Sequence, residues 1–439
     1  MNASHARLAF ALSACLLASC QRNEGNTAAT QVPKPDAAGF TIVEWALPTT
    51  DGAAQPDLVV APNGSLLLSW VRPMGDRHAF QYAAYLGDDN WESAPKTIAV
   101  GRALAANWAN TPHILMTDDG ALWAQWLQGH PGGGEHAADL VLTQSRDGGM
   151  HWAAPVAVND DGSASEHGFV SLWPSAQDAI GIAWLDGRKA AAAGAEHMHA
   201  DTAHAAHHAD GAAMTLRAAN FDATMARSGE VELDPMTCDC CSTDAVVTAQ
   251  GALLAYRDRD ADEIRDIVAV RRTAQGWSKP QPVHADRWKM PACPLNGPAV
   301  DARGDEVVVA WYSAPNDQPV LQLARSHDGG AHFDPPVAID RGDAVAGRVD
   351  VALDGDSAWL LWLREDGSGQ SLQIARQAGA AANPQRSVVA RLQGRGRATG
   401  YPQLAVRQGL AHAVWTDIVD GVPRLRGARV KAGPASAAR

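Results

Sequence analysis

One pattern recurs seven times along the 439 residues. A short strand-like segment is followed by a turn, then by a second segment of small and branched residues that ends in an aromatic. The copies span residues 56–70 (PDLVVAPNGSLLLSW), 111–126, 173–184, 243–256, 297–311, 349–362 and 402–415. Their aromatics are Trp70, Trp126, Trp184, Tyr256, Trp311, Trp362 and Trp415. A period of about 50 residues built from short alternating strands predicts an all-β propeller of seven four-stranded blades, one per repeat. Blades pack face to face around an axis, so each needs a bulky residue at the same depth, which accounts for much of the bias of 15 Trp against six Phe and five Tyr. The interval between Trp184 and Tyr256 is longer than the others and holds an Ala/His-rich run, read as a loop insertion over 190–211. The last repeat offers three strands; the segment Thr41 to Leu47 (TIVEWAL) supplies the missing outer one and closes the ring without exposed edges.

Ahead of the domain (40–433), Arg7 and the apolar run 8–19 read as a signal peptide over 1–19, too short to span a bilayer as a mature helix. It ends Leu17-Ala18-Ser19-Cys20, which resembles the bacterial lipobox. That resemblance implies lipidation of Cys20 and, with Gln21 next, an outer-membrane lipoprotein facing the periplasm or the surface. Residues 20–39 are polar with Pro33 and Pro35 and read as a flexible tether; 434–439 read as a disordered tail. A net charge of −13 argues against nucleic acid as a partner. The lipid anchor is the expected membrane contact, and the chain is expected to be a monomer.

Two turns resemble the Asp box, S-x-D-x-G-x-x-W/F: Ser145-Arg146-Asp147-Gly148-Gly149-Met150-His151-Trp152 and Ser326-His327-Asp328-Gly329-Gly330-Ala331-His332-Phe333. They identify the chain as similar to sialidase-like, BNR-repeat propellers. Sialidases have six blades, which makes six the alternative count. The motif is structural and carries no chemistry. Sialidase chemistry, by the same resemblance, needs three arginines gripping a carboxylate, a Tyr nucleophile with a Glu partner, and an Asp acid/base. The first arginine belongs to an Arg-Ile-Pro motif, and Pro56-Asp57-Leu58 stands in its place here.

Propeller topology puts the loops entering each first strand, and those after each repeat aromatic, on one face. Three constellations fall there. Cys238, Cys240 and Cys241 enter blade four and Cys293 enters blade five. In an exported chain they read as disulfides, with Cys238 or Cys241 to Cys293 the easiest bridge, as a thiolate site for copper or zinc, or as redox thiols. His197, His199, His204, His207 and His208 lie in the blade-three insertion, and His130 and His136 in the equivalent loop of blade two. They read as further metal ligands or as a hydrophilic surface insertion. Finally, Arg257, Asp258, Glu263 and Arg265 could carry acid/base work and grip an anion, or form a salt-bridged staple. Arg72, Asp186, Arg188 and Arg259 are the accompanying ligand-binding candidates. Three functions follow: a binding module for a small molecule, glycan or metal; a glycoside hydrolase of sialidase type with a rearranged site; and a protein-interaction scaffold.

Overall fold

The computed structural model describes residues 34–433 apart from 93, 131, 132, 135, 193–212 and 380–382. Cys20, the signal and most of the tether, the tail, and His197, His199, His204, His207 and His208 lie outside the described residues. None of the described helices is long and apolar enough to cross a membrane.

Seven antiparallel sheets form the seven expected blades. Blade one runs outward through Ala54–Val60, Leu66–Met74 and Arg77–Gly87, and its outer strand is split into Asn90–Trp91 and Lys96–Gly101. Blade two is His113–Met116, Leu122–Gly129, Ala138–Ser145 and Val156–Ala157; blade three is His167–Ala176, Ala179–Asp186, Met214–Phe221 and Arg227–Thr237. Blade four is Asp244–Thr248, Gly251–Arg257 and Ile267–Thr273 with a split outer strand, Gly276–Trp277 and Gln281–Pro282. Blade five is Ala299–Arg303, Glu306–Ser313, Val320–Ser326 and Val337–Arg341; blade six is Val345–Asp354, Ser357–Asp366, Gly369–Ala378 and Gln385–Leu392. In blade seven, Gln403–Arg407, Leu410–Val419 and Val422–Ala432 are completed by Phe40–Glu44, which pairs Ile42 with Val430.

The core is divided among the blade interfaces. Each of seven apolar clusters joins two neighbouring blades, and each contains one repeat aromatic directed at the preceding blade. Trp184 and Trp311 are fully buried this way. The Asp-box-like turns are knit locally: Ser145 Oγ accepts from Gly149 N at 2.9 Å while Asp147 Oδ1 accepts from His151 N at 2.9 Å, and Ser326 and Asp328 repeat the arrangement. Gly149 has a φ of 80°, and a Cβ there would collide with the Tyr82 hydroxyl, so both the turn and the blade contact demand glycine.

Around the axis the innermost strands splay apart and side chains span the gaps. Asp57 accepts from Ile114 N (2.9 Å), Asp244 from Val300 N (2.7 Å), Asp301 from Leu353 N (2.7 Å) and Asp350 from Leu404 N (2.6 Å). Between blades three and four, Ser171 and Thr243 share a hydroxyl bond of 2.5 Å. These strands enclose an axial cavity of about 480 Å³ to which all seven blades contribute, Asp57, His113, Ser171, Asp244, Asp301, Asp350 and Gln403 among them.

Candidate metal centre

Three loops of blades four and five build the site. The strand Arg227–Thr237 ends blade three, and Cys238 turns the chain inward by donating its N–H to the Arg257 carbonyl at 3.1 Å. Thr243 Oγ1 then anchors the entry to blade four on the Phe169 carbonyl at 2.7 Å. Residues 258–266 form the loop after the repeat aromatic of blade four, closed by Asp258 N to the Asp266 carbonyl at 2.9 Å. That loop zips onto the entry to blade five, with Arg265 N on the Trp288 carbonyl and Met290 N on the Glu263 carbonyl, both at 2.9 Å. The blade-five entry also presses onto the blade-four entry. A Cβ at Gly297 would lie 2.0 Å from the Ser242 carbonyl oxygen, so this close approach requires glycine.

These loops bring Cys238, Cys240 and Cys241 together, with all three sulfurs within 4.8 Å of one another and all three side chains buried. Cys238 Sγ is 3.1 Å from Cys241 Sγ and 3.9 Å from Cys240 Sγ. Arg265, fully buried, donates Nη1 to Cys238 Sγ at 3.2 Å and Nη2 to Glu263 at 2.8 Å. Burial alone would push the Cys238 thiol up. Hydrogen bonds from Cys240 and Cys241 and the charges of Arg265 and Arg257 win, and hold it well below the ordinary thiol value. The protons are correspondingly retained on its neighbours: burial and the bonding to Cys238 push Cys240 and Cys241 up.

Cys293 is exposed, and Leu295, two residues on, packs against the apolar cluster that holds the three buried cysteines. Convergence of three of the four cysteines, Cys238, Cys240 and Cys241, is present. The expected cross-blade disulfide is not, since all four described cysteines are free. Among the described residues, metal-ligand spacing of three or more side chains is met by this trio, and neither His130 nor His136 joins it.

The charge run beside the trio is a staple. Arg257, assigned above to gripping an anion, spends its fork on three main-chain carbonyls: Asn296 (2.8 Å), Arg265 (2.6 Å) and Tyr312 (2.7 Å). It also lies 4.9 Å over the Trp288 ring. Arg265 is consumed by Cys238 and Glu263, and Glu263 is shared with Arg259, whose Nη2 donates to it at 2.7 Å. Burial raises Glu263, but those two arginines dominate and hold it ionised, below its ordinary value. Asp258 is pushed up to about 7 by burial and by the charge of Asp234. Of the accompanying candidates, Arg188 chelates Asp186 through Nε (2.8 Å) and Nη2 (2.7 Å), and Arg72 donates to Gln81 at 2.8 Å. These arginines hold protein groups, the arrangement of the salt-bridged staple given above as the alternative to gripping an anion.

Sequence reasoning missed the aromatic pair above the axis. Trp108, from the blade-two entry, stacks on Tyr401, from the blade-seven entry, with centroids 6.1 Å apart and planes 6° off parallel. Arg348 and Arg397 lie over the Trp108 ring at 5.1 and 5.9 Å. Tyr401 donates to the Leu295 carbonyl at 2.8 Å, and burial pushes its hydroxyl above the ordinary phenol value. The rule that located the cysteines, position at the entry to a first strand, also fits Trp108 and Tyr401.

No family model matches the chain, and no curated relative does. Solved structures with a similar fold include the polysaccharide lyase Uly1 at TM-score 0.51 and 7% identity, covering 86% of this chain and 90% of that one. The GH93 α-L-arabinofuranosidase of Fusarium graminearum is similar at TM-score 0.47 and 14% identity, covering 90% and 98%. The sialidase NanB from Streptococcus pneumoniae is similar at TM-score 0.44 and 7% identity, covering 90% and 95%. At these identities the likeness is one of fold.

Proposed function

We propose that this chain is a cell-envelope binding module whose top-face ligand is a soft metal ion, Cu(I) or Zn(II), held by Cys238, Cys240 and Cys241. The convergence of three buried sulfurs within 4.8 Å carries the reading. Thiolate donors select Cu(I) and Zn over hard cations. Metal–sulfur bonds of about 2.3 Å in a trigonal plane set the sulfurs about 4 Å apart, close to the 3.9 Å between Cys238 and Cys240. The 3.1 Å pair needs to open slightly. Three thiolates with a monovalent ion carry excess negative charge, and Arg265 stands against one of them as a compensating cation. Zn(II), which favours four ligands, could recruit Cys293 as the fourth. The lipobox-like segment ending at Cys20 would tether the module to the membrane. In such an oxidising compartment, metal occupancy would also keep three adjacent thiols from pairing.

The test is anaerobic titration of the full-length protein with Cu(I) against a chromogenic chelator, with elemental analysis of the material as purified. One equivalent per chain is expected, and Cys241→Ser should weaken binding at least 100-fold. A wild-type chain that binds no stoichiometric metal, or that has Cys238 and Cys241 joined in a disulfide, would sink the proposal.

A further inference from the structure

The aromatic pair above the axis is tied at both ends to the apolar cluster that contains Cys238, Cys240 and Cys241. Ala109, next to Trp108, packs against that cluster, and so does Leu295, whose carbonyl accepts the Tyr401 hydroxyl at 2.8 Å. Phe169 belongs to the cluster and donates its N–H to Asn110 Oδ1, two residues beyond Trp108, at 2.7 Å. Phe169 and Leu295 both stand in the left-handed backbone region, at φ of 52° and 53°. Bulky side chains avoid that region and persist there only where neighbours over-determine the backbone. The bonds that pin these two come from Asn110 and Tyr401, beside and within the stack, so the backbone beneath it favours another conformation once they are released. Trp108 itself is half-buried, stacked on Tyr401 and crossed by the guanidiniums of Arg348 and Arg397.

We propose that the Trp108–Tyr401 stack is a gate over the cysteine trio: a soft metal ion reaches and leaves Cys238, Cys240 and Cys241 when Trp108 swings away from Tyr401. The proposal rests on the trio being a metal site and adds the control of its exchange. All three thiols are buried, so exchange requires part of their cover to move. The blade strands are held by continuous ladders, whereas residues 106–109 lie in the loop between the strands Lys96–Gly101 and His113–Met116. That loop is fixed on one side by Ala105 N on the Leu127 carbonyl at 2.9 Å and on the other by Asn110. Local opening draws on such weakly laddered segments. The gate acts on rate alone. Opening it speeds entry and exit by the same factor, and the affinity stays that of the trio.

The experiment measures both rates in the full-length protein under anaerobic conditions, with Cu(I)–glutathione as donor and an excess of a Cu(I) chelator as acceptor. Trp108→Ala should raise loading and removal alike by about tenfold, the loss of an aromatic pair together with a cation–π contact. Tyr401→Phe keeps the ring and drops the bond to Leu295, and should raise both by about fivefold. Stoichiometry should stay at one, with affinity unchanged. A second arm needs no metal. The reduced, metal-free chain is alkylated with iodoacetamide and each cysteine followed by mass, with the exposed Cys293 as internal reference. The trio should label faster, relative to Cys293, in both variants. Wild-type rates in both folded variants would overturn the gate and leave the trio reading intact. A change in affinity carried by one rate alone would also overturn it, because Trp108 would then support the bound state. A wild-type chain that takes up no copper defeats the metal site, and the labelling rates then decide the gate by themselves.

Discussion

Arg265 is the side chain on which the candidate centre turns. It is fully buried, and it bonds both a thiol sulfur and a carboxylate. Removing it leaves Glu263 with one arginine and Cys238 without its cation, so Arg265→Gln should cost on the order of 3 kcal/mol in urea unfolding. In folded protein it should also weaken metal binding about 10- to 100-fold, the usual cost of losing an outer-shell partner. Arg265→Gln with unchanged metal affinity would show that the guanidinium serves the fold alone. None of this contact could be read from sequence. Arg265 reaches Cys238 only because residues 258–266 fold back and zip onto residues 288–290, and no local pattern encodes that pairing. The cysteines themselves were legible, since their places before the first strands of consecutive blades are topological.

At the scale of elements, the innermost strands hold the ring through carboxylates as well as packing. Burial pushes Asp244 up to about 7 and Asp301 up to about 6, and Asp350 well above its ordinary value. Asp57 pairs with His113 at 3.3 Å, and His113, though burial opposes it, is raised by Asp57 and Asp244. The folded chain therefore binds more protons than the unfolded one between about pH 4 and pH 7, and stability falls across that window as pH rises. The His113 pair acts in the same direction, losing its contribution as pH passes the raised value. Urea midpoints should be higher at pH 5 than at pH 8 as far as these groups decide it. Asp244→Asn, which keeps an acceptor for Val300 N, should flatten the slope and gain about 1–2 kcal/mol at pH 8. An unchanged slope would contradict the assignment. The recurrence of Asp at matching positions in Pro56-Asp57, Thr243-Asp244 and Val349-Asp350 was visible in the repeats, but its role was not, because it lies in cross-blade bonds to backbone amides. By contrast, the blade aromatics were fully legible, and Trp311→Ala should cost about 3–5 kcal/mol.

The whole molecule is closed by one short strand from the start of the domain, Phe40–Glu44 against Val422–Ala432. The seven-blade count and this closure followed from period and from a missing strand, because both are global requirements of a ring. Val43→Pro, which removes a ladder amide opposite Arg429, should destabilise by about 3 kcal/mol or more and promote self-association through the opened edge. Unaltered melting of that variant would mean the strand is dispensable. With Arg257 and Arg265 bound to protein groups, release of sialic acid from a chromogenic sialoside is expected to stay at background. The most direct test of the metal-centre account is X-ray absorption at the metal edge of the loaded full-length protein. Three sulfur scatterers at about 2.3 Å, lost in Cys241→Ser, are the expected result. A shell of nitrogen and oxygen scatterers, or no bound metal at all, would contradict it.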